Sequence, residues 1–240
     1  MRVAIFSDIH SNLYALEEVL KVIESENVDL KLCGGDLVGY GPFPNEVIHI
    51  LRKQKIPTLM GNYDDGVGFD RNDCGCAYRT QRETELGEIS LKWTRARVTD
   101  ENKSFLRNLL GNTYYNWNGM RVLHVHGSPR RINEYLYENR PEKNLLRMLE
   151  PLKIDLLICG HTHIPYHRIV GKIHIVNTGS VGKPKDGDPR ACYTLLEIED
   201  GLNVHFKRVP YDIDAAAQAI RRVGLPKEFA EDLYSATFIH

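Results

Sequence analysis

Three observations predict an α/β fold with two mixed β-sheets facing each other and helices outside. Apolar runs of strand length alternate with helical periodicity over residues 3–60, a pattern that calls for parallel pairing through right-handed crossovers. Three later pairs of runs are joined by short turn-forming links, which calls for hairpins. The strand-like runs are apolar enough to need cover on both faces, and two packed sheets with outer helices provide it.

The elements follow in order. Val3–Ser7 reads as a strand, and Leu13, Leu16, Val19, Leu20 and Ile23 then recur at helical spacing, with Asn12 or Ser11 as N-cap. Leu30–Cys33 is a second strand ended by Gly34-Gly35. Pro44–Lys53 is a helix whose proline suits the first turn, and Ile56–Met60 reads as a third strand ended by Gly61. Residues 66–80 are rich in glycine and asparagine and read as a loop leading to helices near 81–97 and 100–110. Because it breaks the strand alternation, the segment 66–110 is a candidate cap over a site. Asn118-Gly119, Gly171-Lys172 and Glu199-Asp200-Gly201 each link a hairpin, with a helix near 142–150 and a buried strand at Asp155–Cys159 between the first two. A helical tail occupies about 211–240, and the 240 residues are expected to form a single domain.

Composition excludes several classes. A formal net charge of −1 without a long basic run gives no electrostatic case for non-specific nucleic-acid binding. No apolar stretch approaches the ~20 residues of a membrane span, and Val3–Phe6 follows Met1 too closely for a signal peptide. Five cysteines, odd in number and without zinc-finger spacing, fit a reducing cytoplasm. Cys33 and Cys159 lie in apolar runs and read as core thiols, whereas Cys74-Gly75-Cys76 has the spacing of a redox or metal pair.

Seven residues of metal-ligand type fall at five separated points: Asp8 and His10, Asp36, Asn62, His126, and His161 with His163. Each point follows an apolar run beside a turn-forming residue, so folding can bring the side chains to one spot. Taken singly, Asp36 reads as a turn residue, Asn62 as a cap and His126 as a core histidine. Taken together, the five strand ends point to two divalent ions, whose mutual repulsion needs a carboxylate between them. Asp36 suits that place because Gly34-Gly35 keep backbone bulk low. Asp8-Ile9-His10 and His161-Thr162-His163 each offer alternate residues, and the two histidines of the second pair can diverge to serve one ion each. Nitrogen and oxygen donors without thiolate suit Mn, Fe, Co, Ni or Zn. His124 is expected to face away from His126 and to be structural. His49, His167, His174, His205 and His240 show no ligand pattern.

The segments Asp8-Ile9-His10, Gly35-Asp36, Gly61-Asn62-Tyr63-Asp64, His126-Gly127 and Gly160-His161-Thr162-His163 resemble the signature of the calcineurin-like metallophosphoesterases, and Asn177–Gly182 resembles the glycine turn of the small bacterial and archaeal members. The resemblance implies a four-layer αββα sandwich with a dinuclear centre at the strand ends. It also implies two ligand sets, Asp8, His10, Asp36 and His163 for one ion, and Asp36, Asn62, His126 and His161 for the other. Asp36, Asn62, Tyr63 and His126 are the expected catalytic residues, and Asn12 and Arg130 lie close enough in sequence to ligands to touch a phosphate.

The expected function is a phosphodiesterase acting on a small phosphoester by in-line attack of a metal-bridging hydroxide. A phosphomonoesterase is the runner-up, and a non-catalytic scaffold on the same fold is the rival from another class. Many family members have histidine where this chain has Tyr63, a weaker proton donor at neutral pH, so good leaving groups should be favoured. Hairpin edges and the terminal helices offer a surface for a homodimer.

Overall fold

The computed structural model describes residues 1–237, so His240 and the last residues of the expected tail lie outside the described residues. Among those described, the first half runs β1 (Arg2–Phe6), α1 (Leu13–Ser25), β2 (Leu30–Cys33), α2 (Pro44–Lys53), α3 (Asn62–Gly68), α4 (Gln81–Arg95) and α5 (Asp100–Arg107). The second half runs β3 (Asn112–Trp117), β4 (Met120–Val125), α6 (Glu142–Leu149), β5 (Leu156–Cys159), β6 (Tyr166–Val170), β7 (Ile173–Asn177), β8 (Ala191–Ile198), β9 (Leu202–Val209), α7 (Ile213–Arg222) and α8 (Lys227–Ser235).

Two mixed sheets form, one in the order β2-β1-β8-β9 and the other β3-β4-β5-β7-β6. In the first, β1 pairs parallel with β2 and antiparallel with β8. In the second, β4, β5 and β7 run parallel, and hairpins add β3 and β6 at the two edges. Strand alternation explains the layers. Val3 and Ile5 point into a core shared with Trp117, Leu156, Ile158 and Val176 of the other sheet. Ala4 and Phe6, on the opposite face of β1, pack with α1, α2, α7 and α8. Likewise Leu157 and Cys159 of β5 turn away from the inter-sheet core towards Leu145 and Leu149 of α6. Helices, sheet, sheet and helix therefore make the expected four layers.

Other expectations are corrected. Ile56–Met60 is not a strand: the segment makes only isolated bridges, Cys33 to Thr58 and Leu59 to Leu110. Pro57 has no N–H to give a ladder, and Lys55 at φ 52° turns the chain just before it. Asn62 begins a helix, so the loop expected from residue 66 starts after Gly68. In the segment 66–110, Val67, Leu86, Leu91 and Leu106 join the same core as Phe6, while Cys76, Tyr78 and Arg79 line the cavity described below. His124 does not face away from His126. Residues two apart on a strand share a face, and both rings reach Gly34: His124 Nε2 would lie 3.2 Å from a Cβ built there, and His126 Nδ1 bonds its carbonyl. Among the described residues, no helix is long and apolar enough to cross a membrane.

Candidate metal centre

The turns after β1, β2, β4 and β5 meet at the carboxyl ends of these strands. Backbone bonds lock them together: Asp8 N–H to Gly35 O (2.9 Å), His10 N–H to Asp36 O (3.0 Å) and Gly160 N–H to His126 O (2.8 Å). Asp8, His10, Asp36, His161 and His163 have φ between 48° and 66°. This left-handed region costs a non-glycine residue roughly 1–2 kcal/mol. Strain gathered on five candidate ligands marks a function that offsets it.

The side chains form two donor sets. Asp8, His10 and His163 make one and Asp36, His126 and His161 the other, and the donor atoms of each set lie within 4.8 Å of one another. His161 and His163 do separate to different sets. Asp36 joins the sets: its Oδ2 is 3.6 Å from His10 Nε2 and 3.5 Å from His126 Nε2. Asn62 Oδ1 completes the second set at 3.1 Å from His126 Nε2.

Hydrogen bonds aim the donors. His10 Nδ1–H donates to Val38 O (3.0 Å), His126 Nδ1–H to Gly34 O (2.9 Å) and His163 Nδ1–H to Lys183 O (2.6 Å). Each leaves Nε2 with a lone pair directed inward. The Nε2 atoms of His10 and His163 are 3.2 Å apart, where two lone pairs repel and a shared cation would draw them together. Asp8 Oδ1 and His161 Nε2 are buried and make no hydrogen bond. Since buried polar atoms are otherwise nearly always satisfied, these two orphans, with the nitrogen and oxygen donors around them, fit divalent ions.

Electrostatics agrees. Burial pushes His10 and His161 down to about 3, so both are neutral donors at pH 7. Burial opposes the Asp8 carboxylate, yet the His163, His126 and His10 rings together hold it well below the ordinary range. His126 differs: burial works against its charged form, but the Asp36 carboxylate, Asp8 and the Gly34 carbonyl together outweigh burial and raise the ring to about 10. A cation there competes for the same lone pair, so its binding releases a proton.

The sequence gives Asp64 a place in the Gly61–Asp64 segment but no role of its own. Its carboxyl accepts the N–H groups of Asp36 (2.8 Å), Leu37 (2.9 Å) and Gly61 (2.9 Å), clamping the turn that carries Asp36. Burial, then the charge of Asp36, push it up to about 7. Tyr63 serves the same turn through its backbone, giving its N–H to Asp36 Oδ1 at 2.8 Å.

A cavity of about 300 Å³ opens over the donors. Its walls include Tyr63, expected at the site, and Cys76 of the closely spaced cysteine pair, and also Tyr40, Arg79, Tyr135 and Lys185. Two expected substrate contacts are not brought there. Asn12 caps α1 by accepting from Ala15 N–H at 3.2 Å and donates to Gly182 O at 3.1 Å, so its amide is consumed structurally. Arg130, whose side chain is 48% exposed, pairs with Glu134 and lines a separate groove.

Gly61 tests the geometry. A Cβ there would stand 2.1 Å from Asp36 Oδ1 and 2.2 Å from Asp36 N. Gly61→Ala is expected to displace that carboxylate and weaken Mn²⁺ binding at least about tenfold, read by calorimetric titration. Unchanged affinity would mean that Asp36 is not a ligand.

Comparisons with known proteins agree with this geometry. The sequence profile of the calcineurin-like phosphoesterase superfamily domain matches residues 1–201. The chain is 33% identical to the uncharacterized protein MJ0912 of Methanocaldococcus jannaschii over 97% of each chain. It is 26% identical to the phosphodiesterase YfcE of Escherichia coli over 85% of this chain and 91% of that protein. Its fold superposes on the crystal structure of a metallophosphoesterase from Sphaerobacter thermophilus with a TM-score of 0.78, at 30% identity over 99% of both chains. With its profile match spanning most of its length, the chain belongs to the calcineurin-like phosphoesterase superfamily.

Proposed function

We propose that the protein is a phosphodiesterase for small substrates, working at a two-ion centre held by Asp8, His10, Asp36 and His163 on one side and Asp36, Asn62, His126 and His161 on the other. The observation that carries this reading is the placement of Asp36 Oδ2 nearly midway between an imidazole of each set. Neither set contains a thiolate, which suits Mn, Fe, Co, Ni or Zn. When bound, the ions supply an activated water and neutralise charge on the phosphoryl group.

The chain's own residues set the substrate preference. Tyr63 stands at the motif position next to Asn62, and its ring meets that of His10 edge-on at a centroid distance of 5.4 Å. Burial, then Tyr40, push its hydroxyl well above its ordinary value. It therefore stays protonated and able to donate a hydrogen bond, but it gives up its proton less readily than an imidazolium. Esters whose leaving group departs unaided, such as aryl diesters, suit this arrangement. The cavity has room for a small phosphoester, and Arg79 and Lys185 on its walls favour an anion. All five cysteines are free, which fits a reducing compartment such as the cytoplasm.

Bis-p-nitrophenyl phosphate with Mn²⁺ tests the reading. Turnover is expected in the wild type, with a loss of at least about a hundredfold in Asp36→Asn. Equal rates in both would leave a non-catalytic fold. In Tyr63→His, hydrolysis of alkyl monoesters should rise at least about tenfold as an imidazolium supplies the leaving-group proton. No gain on any poor leaving group would refute the role given to Tyr63.

A further inference from the structure

Cys74 and Cys76 belong to neither donor set, yet both touch Asn62. Their Sγ atoms are 3.1 Å apart. Gly75 between them has φ +67°, and a Cβ there would fall 2.2 Å from Asn133 Nδ2. Asn133 also donates to Gly75 O at 2.9 Å, so the turn that brings the thiols together is tied to the loop after His126. Cys74 is buried and Cys76 half-buried, and both line an outer groove, while Cys76 also lines the cavity above the donors.

The pair holds a ligand. Asn62 Nδ2 donates to Cys74 O at 2.9 Å and to Cys76 Sγ at 3.2 Å. With both its amide hydrogens engaged there, Asn62 turns Oδ1 towards His126 Nε2 at 3.1 Å.

We propose that Cys74 and Cys76 form a reversible disulfide that releases Asn62 and thereby loosens the ion held by Asp36, Asn62, His126 and His161. The oxidant is a low-molecular-weight disulfide. The thiolate of one cysteine attacks one of its sulfurs, forming a mixed disulfide and expelling one small thiolate. The thiolate of the other then attacks the first cysteine's Sγ, expelling the second. Two electrons pass from the pair to the small disulfide, and the two protons lost by the cysteines end on the two small thiols. Bond formation brings the sulfurs from 3.1 Å to about 2 Å. Cys76 Sγ is drawn off Asn62 in the process, and a disulfide sulfur is a poorer acceptor than a thiol or thiolate.

The metal-loading part of this inference rests on Asn62 being a ligand, as proposed above; the disulfide itself does not. The whole protein is equilibrated with oxidised and reduced glutathione over a range of ratios, desalted, loaded with Mn²⁺ and measured for mass, peptide linkage and metal content. The oxidised form is expected to be lighter by about 2 Da with a 74–76 linkage, reversible by dithiothreitol, and to bind its second ion at least about tenfold more weakly. Cys74→Ser, which can go no further than a mixed disulfide on Cys76, should form no intramolecular linkage and keep its metal under the same oxidant. Absence of a 74–76 linkage at the most oxidising ratio would overturn the proposal, as would a linkage that leaves metal content unchanged. Equal metal loss in oxidised Cys74→Ser would also overturn it by placing the effect on another thiol. Wild type that hydrolyses no ester in either state would instead count against the phosphodiesterase reading, because mass and metal content are read without turnover.

Discussion

The Asp36 carboxylate has one oxygen held by the Tyr63 amide and the other set between the imidazoles of His10 and His126. Much of the surrounding structure follows from keeping it there. Asp64 fixes the turn from below through three backbone N–H groups, and Gly61 leaves room that any side chain would fill. The consequence is a buried cluster of three aspartates with four histidines, which is costly unless positive charge compensates it. The histidines compensate in part, most visibly at His126, and divalent ions would complete the balance.

The fold makes this meeting possible by dividing the ligands between its sheets. The sheet of β1 and β2 delivers Asp8, His10 and Asp36, and the sheet of β4 and β5 delivers His126, His161 and His163. Neither sheet carries a complete set, since each donor set takes residues from both. Packing of Val3, Ile5, Leu156, Ile158 and Val176 between the sheets is thus a condition for the centre as well as for stability. The helices beyond the profile match also reach the site. Phe229 of α8 meets Tyr40 edge-on at 5.2 Å, and Asp232 pairs with Lys183, whose carbonyl aims His163.

Most of the fold, and the convergence of the seven candidate residues on one spot, were legible in the sequence because strand ends, Gly-Asp turns and two-residue hairpin links are local signals. The misreadings have physical causes. Ile56–Met60 has strand composition, but its pairing depends on Pro57 and on partners far along the chain. Asn12 and Arg130 stand near ligands in sequence, yet spacing does not say which way a side chain points. Asn12 is drawn to its own helix and Arg130 to Glu134. Asp64, Tyr135 and Lys185 come to the site through contacts that only the folded chain makes. His124 was misjudged against the two-residue period itself, which puts it on the same face as His126.

A crystal of the Mn²⁺-loaded protein, measured at the manganese absorption edge, tests the role of Asp36 most directly. Two anomalous peaks about 3.5–4 Å apart are expected, with Asp36 between them and Asn62 Oδ1 beside the one nearer His126. A single peak, or two peaks with Asp36 bound to one alone, would contradict the bridging role on which the two-ion centre is built.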